Sequence, residues 1–228
     1  MPLPWTVLER ALPRLLDGLV FSAGLALAAA AGGLVLGTCL AMLRLSAVRP
    51  LVWFAWAYVT LFRCVPLLLV IFWFYLLMPL IVQRVTGSRF PVPIGPVYSA
   101  LITFTVFEAA YYSEIVRAGI NSIHRGQFEA ARSLCLGPAD MYRFIVLPQA
   151  IRHMLPILLT QTLILFQDTS LVYVLTLPDF VGTASRLGQR EGQLAFFYIF
   201  IALIFFVISY SLSRLVRRLE LRGHVAQY

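Results

Sequence analysis

The chain has 228 residues, of which 61% are hydrophobic and only 12% are charged, and its mean hydropathy is +0.86. A soluble domain is nearer half apolar and a quarter charged, so this composition excludes an ordinary soluble protein and indicates a single membrane-embedded bundle. The net charge is +8 and all 18 basic residues are arginine, which excludes a phosphate-binding loop of the G-x-x-x-x-G-K-[ST] type, since that loop needs a lysine.

Apolar runs of roughly 20 residues predict an all-α membrane protein with five transmembrane helices. They form one domain over residues 1–228, and we expect the first run to serve as an uncleaved signal-anchor, since the start "MPLPWTVLER" lacks the basic n-region of a cleavable signal. The predicted spans are about 19–43, 65–82, 97–117, 147–166 and 193–213, and a basic tail follows the last of them.

Residues 51–82 are almost entirely apolar and are too long for one crossing. A single helix of this length would measure about 48 Å, well beyond a hydrocarbon core of about 30 Å. Arg63 and Pro66 interrupt the run. We therefore predict an interfacial or tilted helix over 51–62 and a separate span from residue 65.

Five spans put the two ends of the chain on opposite sides of the membrane. With the amino end outside, eleven arginines lie on the inner side and six on the outer side, with Arg63 uncounted. The positive-inside rule favours this orientation. It places the N-terminus in the periplasm, the C-terminus in the cytoplasm and residues 118–146 in the cytoplasm.

The segment "EAARSLCLGPADMYRFIVLPQA", residues 129–150, contains no hydrophobic run long enough to cross a bilayer. Its pattern predicts a short helix, a turn near Cys135–Pro138 and a second helix from about Asp140 to Leu147. Ala130, Ala131, Leu134 and Cys135 fall near one stripe of the first helix, and small side chains allow close contact with a partner. A solvated loop with one helical turn is the alternative on the residues alone.

The segment resembles the coupling loop of ABC importer permeases, through Glu129-Ala130-Ala131 and the later Ile145-x-Leu147-Pro148. Three more segments look like the polar amino acid branch of that family. These are "LFRCVPLLLVIFWFY" (61–75), "FEAAYYSEIVRAGINSI" (107–123) and "LFQDTSLVYVL" (165–175). From about residue 15 to 215, the chain is most similar to a permease subunit of glutamate/aspartate importers.

Two positions depart from the family pattern. Cys135 and Cys64 stand where the family usually has glycine. Glycine reaches positive φ at little cost, whereas cysteine does not. Either the turn after the coupling helix moves two residues on, to Gly137-Pro138, or Cys135 adopts a strained backbone.

The resemblance implies a type I ABC importer permease bundle with a cytoplasmic coupling helix, in the bacterial inner membrane. It implies no catalytic residue and no cofactor in this chain, since ATP and Mg would be bound by two copies of a partner ATPase. The other implied partners are a second homologous permease subunit and a periplasmic amino-acid-binding protein, with membrane lipid around the spans and no nucleic acid. The coupling residues, over a loop of about 126–148, would be Glu129, Ala130, Ala131, Leu134, Cys135 and Gly137.

Polar residues in or near the spans are candidates for the substrate pathway, because charge at membrane depth faces an interior or a cavity. For each, a structural role is the alternative. Glu114 has Arg117 at i+3 for an ion pair, Glu108 suits a buried hydrogen bond, and Arg63 can extend to the interface. The candidates are Arg63, Glu108, Glu114, Asp168, Thr169 and Ser170, the last three forming either a gate or a polar helix end.

Other function classes fit less well. A secondary transporter would show paired repeats or more spans, and an intramembrane enzyme would show a motif such as H-E-x-x-H or G-x-S-x-G. No metal site is expected, because His124, His153 and His224 lack ligand spacing. Glutamine, histidine or arginine remain alternative substrates, since the family branch shares the coupling loop.

Overall fold

The computed structural model describes residues 4–225 and, within them, the side chains of residues 7–218. This part of the chain contains nine α-helices and no strand, so the predicted all-α class is confirmed. The helices are α1 Pro4–Leu45, α2 Arg49–Cys64, α3 Leu67–Thr86, α4 Pro96–Asn121, α5 Arg125–Ser133, α6 Pro138–Met141, α7 Leu147–Asp168, α8 Phe180–Arg190 and α9 Leu194–Val225. A π-helical turn, Tyr142–Val146, precedes α7, and a 3-10 turn, Thr169–Leu175, follows it.

Helices α1 and α4 form the centre of the bundle and run parallel. Gly32 faces Thr105, and Gly37 faces Ala109 and Tyr112, so both helices advance in the same direction. A methyl group on Gly37 would lie 2.8 Å from both the Ala109 carbonyl oxygen and the Tyr112 Cβ. These small residues therefore allow the backbones of α1 and α4 to approach closely.

Helix α1 begins well before the predicted span of 19–43. Its first turns pack in an apolar cluster with α8 and α9 that includes Leu15, Phe180 and Phe197. The apolar run marks only the stretch suited to hydrocarbon, whereas the helix extends as far as tertiary contacts support it. At the other end of the chain, α9 continues through most of the predicted basic tail, and residues 226–228 lie outside the described range.

The long apolar run of residues 51–82 is broken where the sequence indicates. Helix α2 ends at Cys64 and α3 begins at Leu67, with Val65 extended at φ −105° and ψ 134°. The residue before a proline avoids the helical region, which explains the break before Pro66. Helix α2 packs against α4. A hydrogen bond joins the two helices, in which the Tyr58 hydroxyl donates to the Val106 carbonyl oxygen at 2.7 Å.

Four candidate spans emerge from length and composition among the described residues. They are Val7–Leu45, Leu67–Thr86, Pro138–Leu175 and Leu194–Arg218. Helix α4, which holds the third predicted span, is not one of them. It contacts α1, α2, α3 and α7, and it buries Ser99, Thr103, Glu108 and Ser113. A helix surrounded by other helices does not need an apolar surface. The mean hydropathy of α4 is therefore too low for α4 to be identified as a span.

Candidate functional site

The predicted coupling segment forms a defined helix and not a solvated loop. Helix α5 starts at Arg125, and the Gly126 N–H donates to Nδ1 of His124 at 3.1 Å, which caps the helix. The second predicted helix differs from expectation. Helix α6 is only four residues long, begins at Pro138 and passes through the π-helical turn into α7.

The end of α5 is a Schellman motif with cysteine at the position usually taken by glycine. The Cys135 N–H donates to the Arg132 carbonyl at 2.9 Å, and the Leu136 N–H donates to the Ala131 carbonyl at 3.1 Å. Cys135 has φ +54°, while Gly137 has φ −64°. Of the two alternatives for this turn, the chain therefore adopts the left-handed backbone at Cys135 itself.

One face of α5 is fixed to the bundle and the other faces outward. Ala131 is fully buried in a cluster with Val116, Val146 and Ala150. Glu129 and Ala130 are exposed, and Leu134, the C-cap of α5, is 73% exposed. The residues predicted to share one stripe therefore face different ways. Ala131 packs against the bundle, whereas Ala130 and Leu134 are exposed and accessible to a partner.

Glu108 lies fully buried in the middle of α4. The Gln161 Nε2, on α7, donates to both of its carboxylate oxygens at 3.3 and 3.2 Å. A carboxylate at this depth is costly unless hydrogen-bonded. Gln161 supplies those bonds, so the structural role considered for Glu108 is present.

Three of the predicted pathway residues gather around one tyrosine. The Arg63 guanidinium carbon lies 5.7 Å from the centroid of the Tyr111 ring, within cation–π range. Glu108 lies one turn before Tyr111 on α4, and the charges of Arg63, Glu108 and Asp168 are within electrostatic range of the Tyr111 hydroxyl. We call Arg63, Tyr111, Glu108, Asp168 and Gln161 the Tyr111 cluster. It brings together a cation and hydrogen-bonding groups around Tyr111 and Glu108, and Asp168 lies about two turns beyond Gln161 on α7.

The other pathway candidates lie beside or away from this cluster. Thr169 is buried, and its hydroxyl donates to the Phe166 carbonyl at 2.7 Å, as a polar helix end would. Ser170 is half-buried in the same 3-10 turn. Glu114 forms the expected ion pair with Arg117, at 2.6 Å, and a second one with Arg44 of α1.

The opposite end of the bundle holds an arginine-rich cleft of about 390 Å³. Its cationic residues are Arg14 of α1 and Arg186 and Arg190 of α8, with Asp17 as the one acid lining it. Nearby, Asp179 caps α8 by accepting from the Val181 and Gly182 N–H groups at 3.1 and 3.3 Å. Burial raises the pKa of Asp179 to about 6, although both hydrogen bonds and Arg186 oppose this rise.

Sequence reasoning missed three partners of the residues it selected. They are Arg44, which pairs with Glu114, Tyr111, which lies against Arg63, and Gln161, which bonds Glu108. Gln161 carried the one usable signal, since an amide inside a predicted span needs a polar partner. Within residues 4–225, no three His, Cys, Asp or Glu side chains are arranged to hold a metal ion, and absence of a metal stays a prediction.

Known proteins similar to this chain were compared by sequence and by structure. Residues 33–223 match the family described as "Binding-protein-dependent transport system inner membrane component". The chain is 49% identical over 218 residues to the glutamate/aspartate import permease protein GltK of Escherichia coli, covering 96% of this chain and 97% of that one. It is 41% identical over 163 residues to the probable glutamine ABC transporter permease protein GlnP of Bacillus subtilis, covering 70% and 71%. A crystal structure of an amino acid ABC transporter with histidines superposes with a TM-score of 0.86 and 27% identity, covering 97% and 100%.

Proposed function

Because the chain belongs to the family of binding-protein-dependent transport system inner membrane components, we propose that it imports an acidic amino acid, glutamate or aspartate. It is a permease subunit of an ABC importer, a transport component of the inner membrane. The family assignment sets aside the secondary transporter and the intramembrane enzyme. The observation that carries the substrate is the 49% identity to a glutamate/aspartate permease over 96% of this chain.

The Tyr111 cluster has the chemistry that an acidic amino acid requires. Such a substrate carries two carboxylates and one ammonium group. The guanidinium of Arg63 suits a carboxylate through paired hydrogen bonds, and Asp168 or Glu108 suits the ammonium group. Gln161 already occupies both oxygens of Glu108. Asp168, which is only half-buried, is therefore the better candidate, with Thr169 and Ser170 beside it.

The exposed face of α5 is our candidate for coupling to the ATPase. Leu134 projects an apolar side chain and Glu129 a charge, while Ala130 leaves room for close approach. Ala131 anchors the helix to α4 and α7. Movement of α5 in a groove of the ATPase would thus be transmitted directly to α4 and α7, which carry every member of the Tyr111 cluster except Arg63. Cys135 and Gly137 shape the turn behind this face.

The assembly we propose has two permease subunits and two copies of the ATPase, with ATP and Mg bound by the ATPase and no cofactor in this chain. The relatives do not say whether the second permease is a different chain, and we propose a different, homologous one. The arginine excess at the α5 end supports a cytoplasmic position for that end, hence a periplasmic N-terminus.

Five crossings follow from the same orientation. Helix α4 lies parallel to α1 and contacts it from Thr105 to Ser113, so we propose that it crosses the membrane with α1 despite its polarity. The arginine-rich cleft then opens to the periplasm. Arg14, Arg186 and Arg190 suit acidic residues of a periplasmic amino-acid-binding protein that delivers the substrate.

Uptake of labelled glutamate tests the substrate. Cells that lack this chain but keep the other importer subunits, with other glutamate routes removed, should lose uptake. In cells that contain the chain, unlabelled aspartate should compete, whereas glutamine, histidine and arginine should not. Equal competition by glutamine would favour the function named for the Bacillus subtilis relative. Unchanged glutamate uptake without the chain would contradict the proposal.

Charge reversal on α5 tests the coupling face. Glu129→Lys should reduce copurification with the ATPase and reduce uptake while leaving the helical content of the membrane domain unchanged. The matched control is Glu191→Lys, the same change at an exposed position after α8, at the opposite end of the bundle. Normal copurification and normal uptake of Glu129→Lys would remove α5 from the coupling role.

A further inference from the structure

A second arginine-rich groove lies at the α5 end of the bundle, away from the pathway candidates around Tyr111. Its volume is about 520 Å³, and it opens between the end of α1, the start of α2 and the last turns of α4. Three arginines and two tryptophans dominate its lining: Arg44, Arg49, Arg117, Trp53 and Trp56. No step of the transport cycle proposed above uses this groove.

The groove carries an excess of positive charge. Arg44 and Arg117 both pair with the single carboxylate of Glu114. Arg49 is exposed, and among the described residues no carboxylate lies within ion-pair distance of it. Three guanidinium groups against one carboxylate leave a net charge of about +2, which attracts an anion. Because Glu114 already orients Arg44 and Arg117, these side chains are partly ordered before any ligand arrives.

The tryptophans indicate the kind of anion. Trp53 is 70% exposed and Trp56 is 52% exposed, both on the first turns of α2. Exposed tryptophan next to arginine at the end of a membrane helix is typical of the boundary between lipid tails and headgroups. Large apolar side chains beside a cationic site favour an anion that carries its own apolar chains over a free ion in water.

The groove and the coupling segment lie on different sides of α1. Leu40 packs with Ala55 of α2 and Ala109 of α4. Ala41, the next residue, packs with Ala131 of α5 and Val116. Consecutive residues on a helix point about 100° apart. The groove therefore opens on the α2 side of α1, and a partner docked on α5 approaches from a different direction.

We propose that this groove binds the phosphodiester headgroup of an anionic phospholipid at the membrane surface. Arg44, Arg49 and Arg117 donate charge-assisted hydrogen bonds to the phosphate oxygens. Trp53 and Trp56 pack against the glycerol and the upper part of the acyl chains. Basic pockets between transmembrane helices bind anionic headgroups in this way. The lipid would join α1, α2 and α4 at the end where the coupling movement enters the bundle.

Native mass spectrometry of the purified importer, with all its subunits, tests the site. The complex is titrated with phosphatidylglycerol and with phosphatidylcholine of identical acyl chains. The expected result is bound phosphatidylglycerol in preference to phosphatidylcholine. Arg49→Gln should weaken that binding about fivefold, which corresponds to about 1 kcal/mol per arginine near an anionic surface. Arg152→Gln removes an equally exposed arginine on α7 and should leave binding unchanged.

An excess of inorganic phosphate separates the two sources of the anion. Retention of phosphatidylglycerol in phosphate supports the lipid, whereas displacement assigns the groove to a free phosphate and overturns the proposal. Equal retention of both lipids, or an unchanged affinity in Arg49→Gln, also overturns it. If a partner subunit covers the groove in the assembled importer, the complex retains both lipids equally, and that result overturns the proposal.

Tryptophan fluorescence gives a readout that does not depend on the Arg49 variant. Replacing Trp5 and Trp73 with phenylalanine leaves Trp53 and Trp56 as the only tryptophans of this chain, and an importer in which these two are also phenylalanine gives the background emission of the other subunits. In mixed bilayers, brominated phosphatidylglycerol should quench their emission more strongly than brominated phosphatidylcholine at the same mole fraction. Equal quenching by both lipids would show ordinary bilayer exposure and would overturn the proposal.

Discussion

Cys135 adopts a left-handed backbone conformation, which a cysteine reaches only at a cost in free energy. The Schellman motif at the end of α5 needs a left-handed backbone, and Cys135 supplies it with φ +54°. For residues other than glycine this conformation costs roughly 1–2 kcal/mol. The turn nevertheless forms because two backbone hydrogen bonds and the burial of Ala131 hold both sides of it. The cost is localised at the segment proposed to meet the ATPase.

Cys135→Gly should therefore stabilise the protein by roughly 1 kcal/mol, less the larger entropy of glycine in the unfolded chain. The measurement is thermal unfolding of the purified complex. Cys64→Gly is the matched control, since Cys64 is also an exposed cysteine but is the last residue of α2, where glycine gives no such relief. A melting temperature for Cys135→Gly at or below that of the starting protein would contradict the strain argument.

The contact between α1 and α4 organises the bundle at the scale of elements. Gly33 and Gly37 lie four residues apart, on the face of α1 that meets Glu108, Ala109 and Tyr112. In hydrocarbon, helices gain little from burying apolar side chains, so close backbone approach and buried hydrogen bonds stabilise their association. A hydrogen bond between the hydroxyl groups of Tyr112 and Thr162, with the oxygens 2.8 Å apart, also joins α4 to α7.

Replacing Gly37 with alanine should disrupt this contact. The new methyl group would meet backbone and Cβ atoms at 2.8–2.9 Å, and such overpacking costs about 1–3 kcal/mol. Gly24→Ala on the same helix has no atom within 4 Å of the added Cβ, so it should be neutral or slightly stabilising. Thermal unfolding of both variants makes the comparison. Equal stability of the two variants would mean that α1 and α4 do not depend on this close approach.

At the scale of the whole molecule, the two ends of the bundle differ in what they carry. One end has α5, the proposed coupling segment, and the groove lined by Arg44, Arg49 and Arg117. The other has the cleft lined by Arg14, Arg186 and Arg190. The Tyr111 cluster lies between them, mostly on α4 and α7, which pack with α5, and with Arg63 on α2. This order suits a protein that receives substrate at one end and mechanical work at the other.

Cysteine labelling tests the orientation. In a background where Cys39 and Cys64 are replaced by serine, Cys135 remains as the single, exposed thiol. A maleimide that does not cross the inner membrane should label it only after lysis. Ser88→Cys, with all native cysteines removed, places an exposed thiol in the loop between α3 and α4 and should react in intact cells with a permeable outer membrane. The reverse labelling pattern would invert the orientation.

The sequence by itself determined the features that depend on composition and short-range chemistry. Hydropathy identified a membrane bundle, Pro66 marked the break between α2 and α3, and the polar segment 129–150 predicted a short helix, which is present as α5. The i+3 spacing of Glu114 and Arg117 predicted their ion pair. Each of these signals acts within a few residues of chain, where helix geometry alone decides which groups meet.

Only the tertiary structure decided the contacts that join distant segments. Glu108 meets Gln161 across 53 residues, and Glu114 meets Arg44 across 70. Helix α4 gave a weak membrane signal because its polar side chains are covered by neighbouring helices, which hydropathy cannot register. The backbone at Cys135 was open between two alternatives, because its cost is offset by packing of Ala131 against other helices. Local pattern specifies which helices form, whereas burial against neighbours decides where each side chain lies and what it contacts.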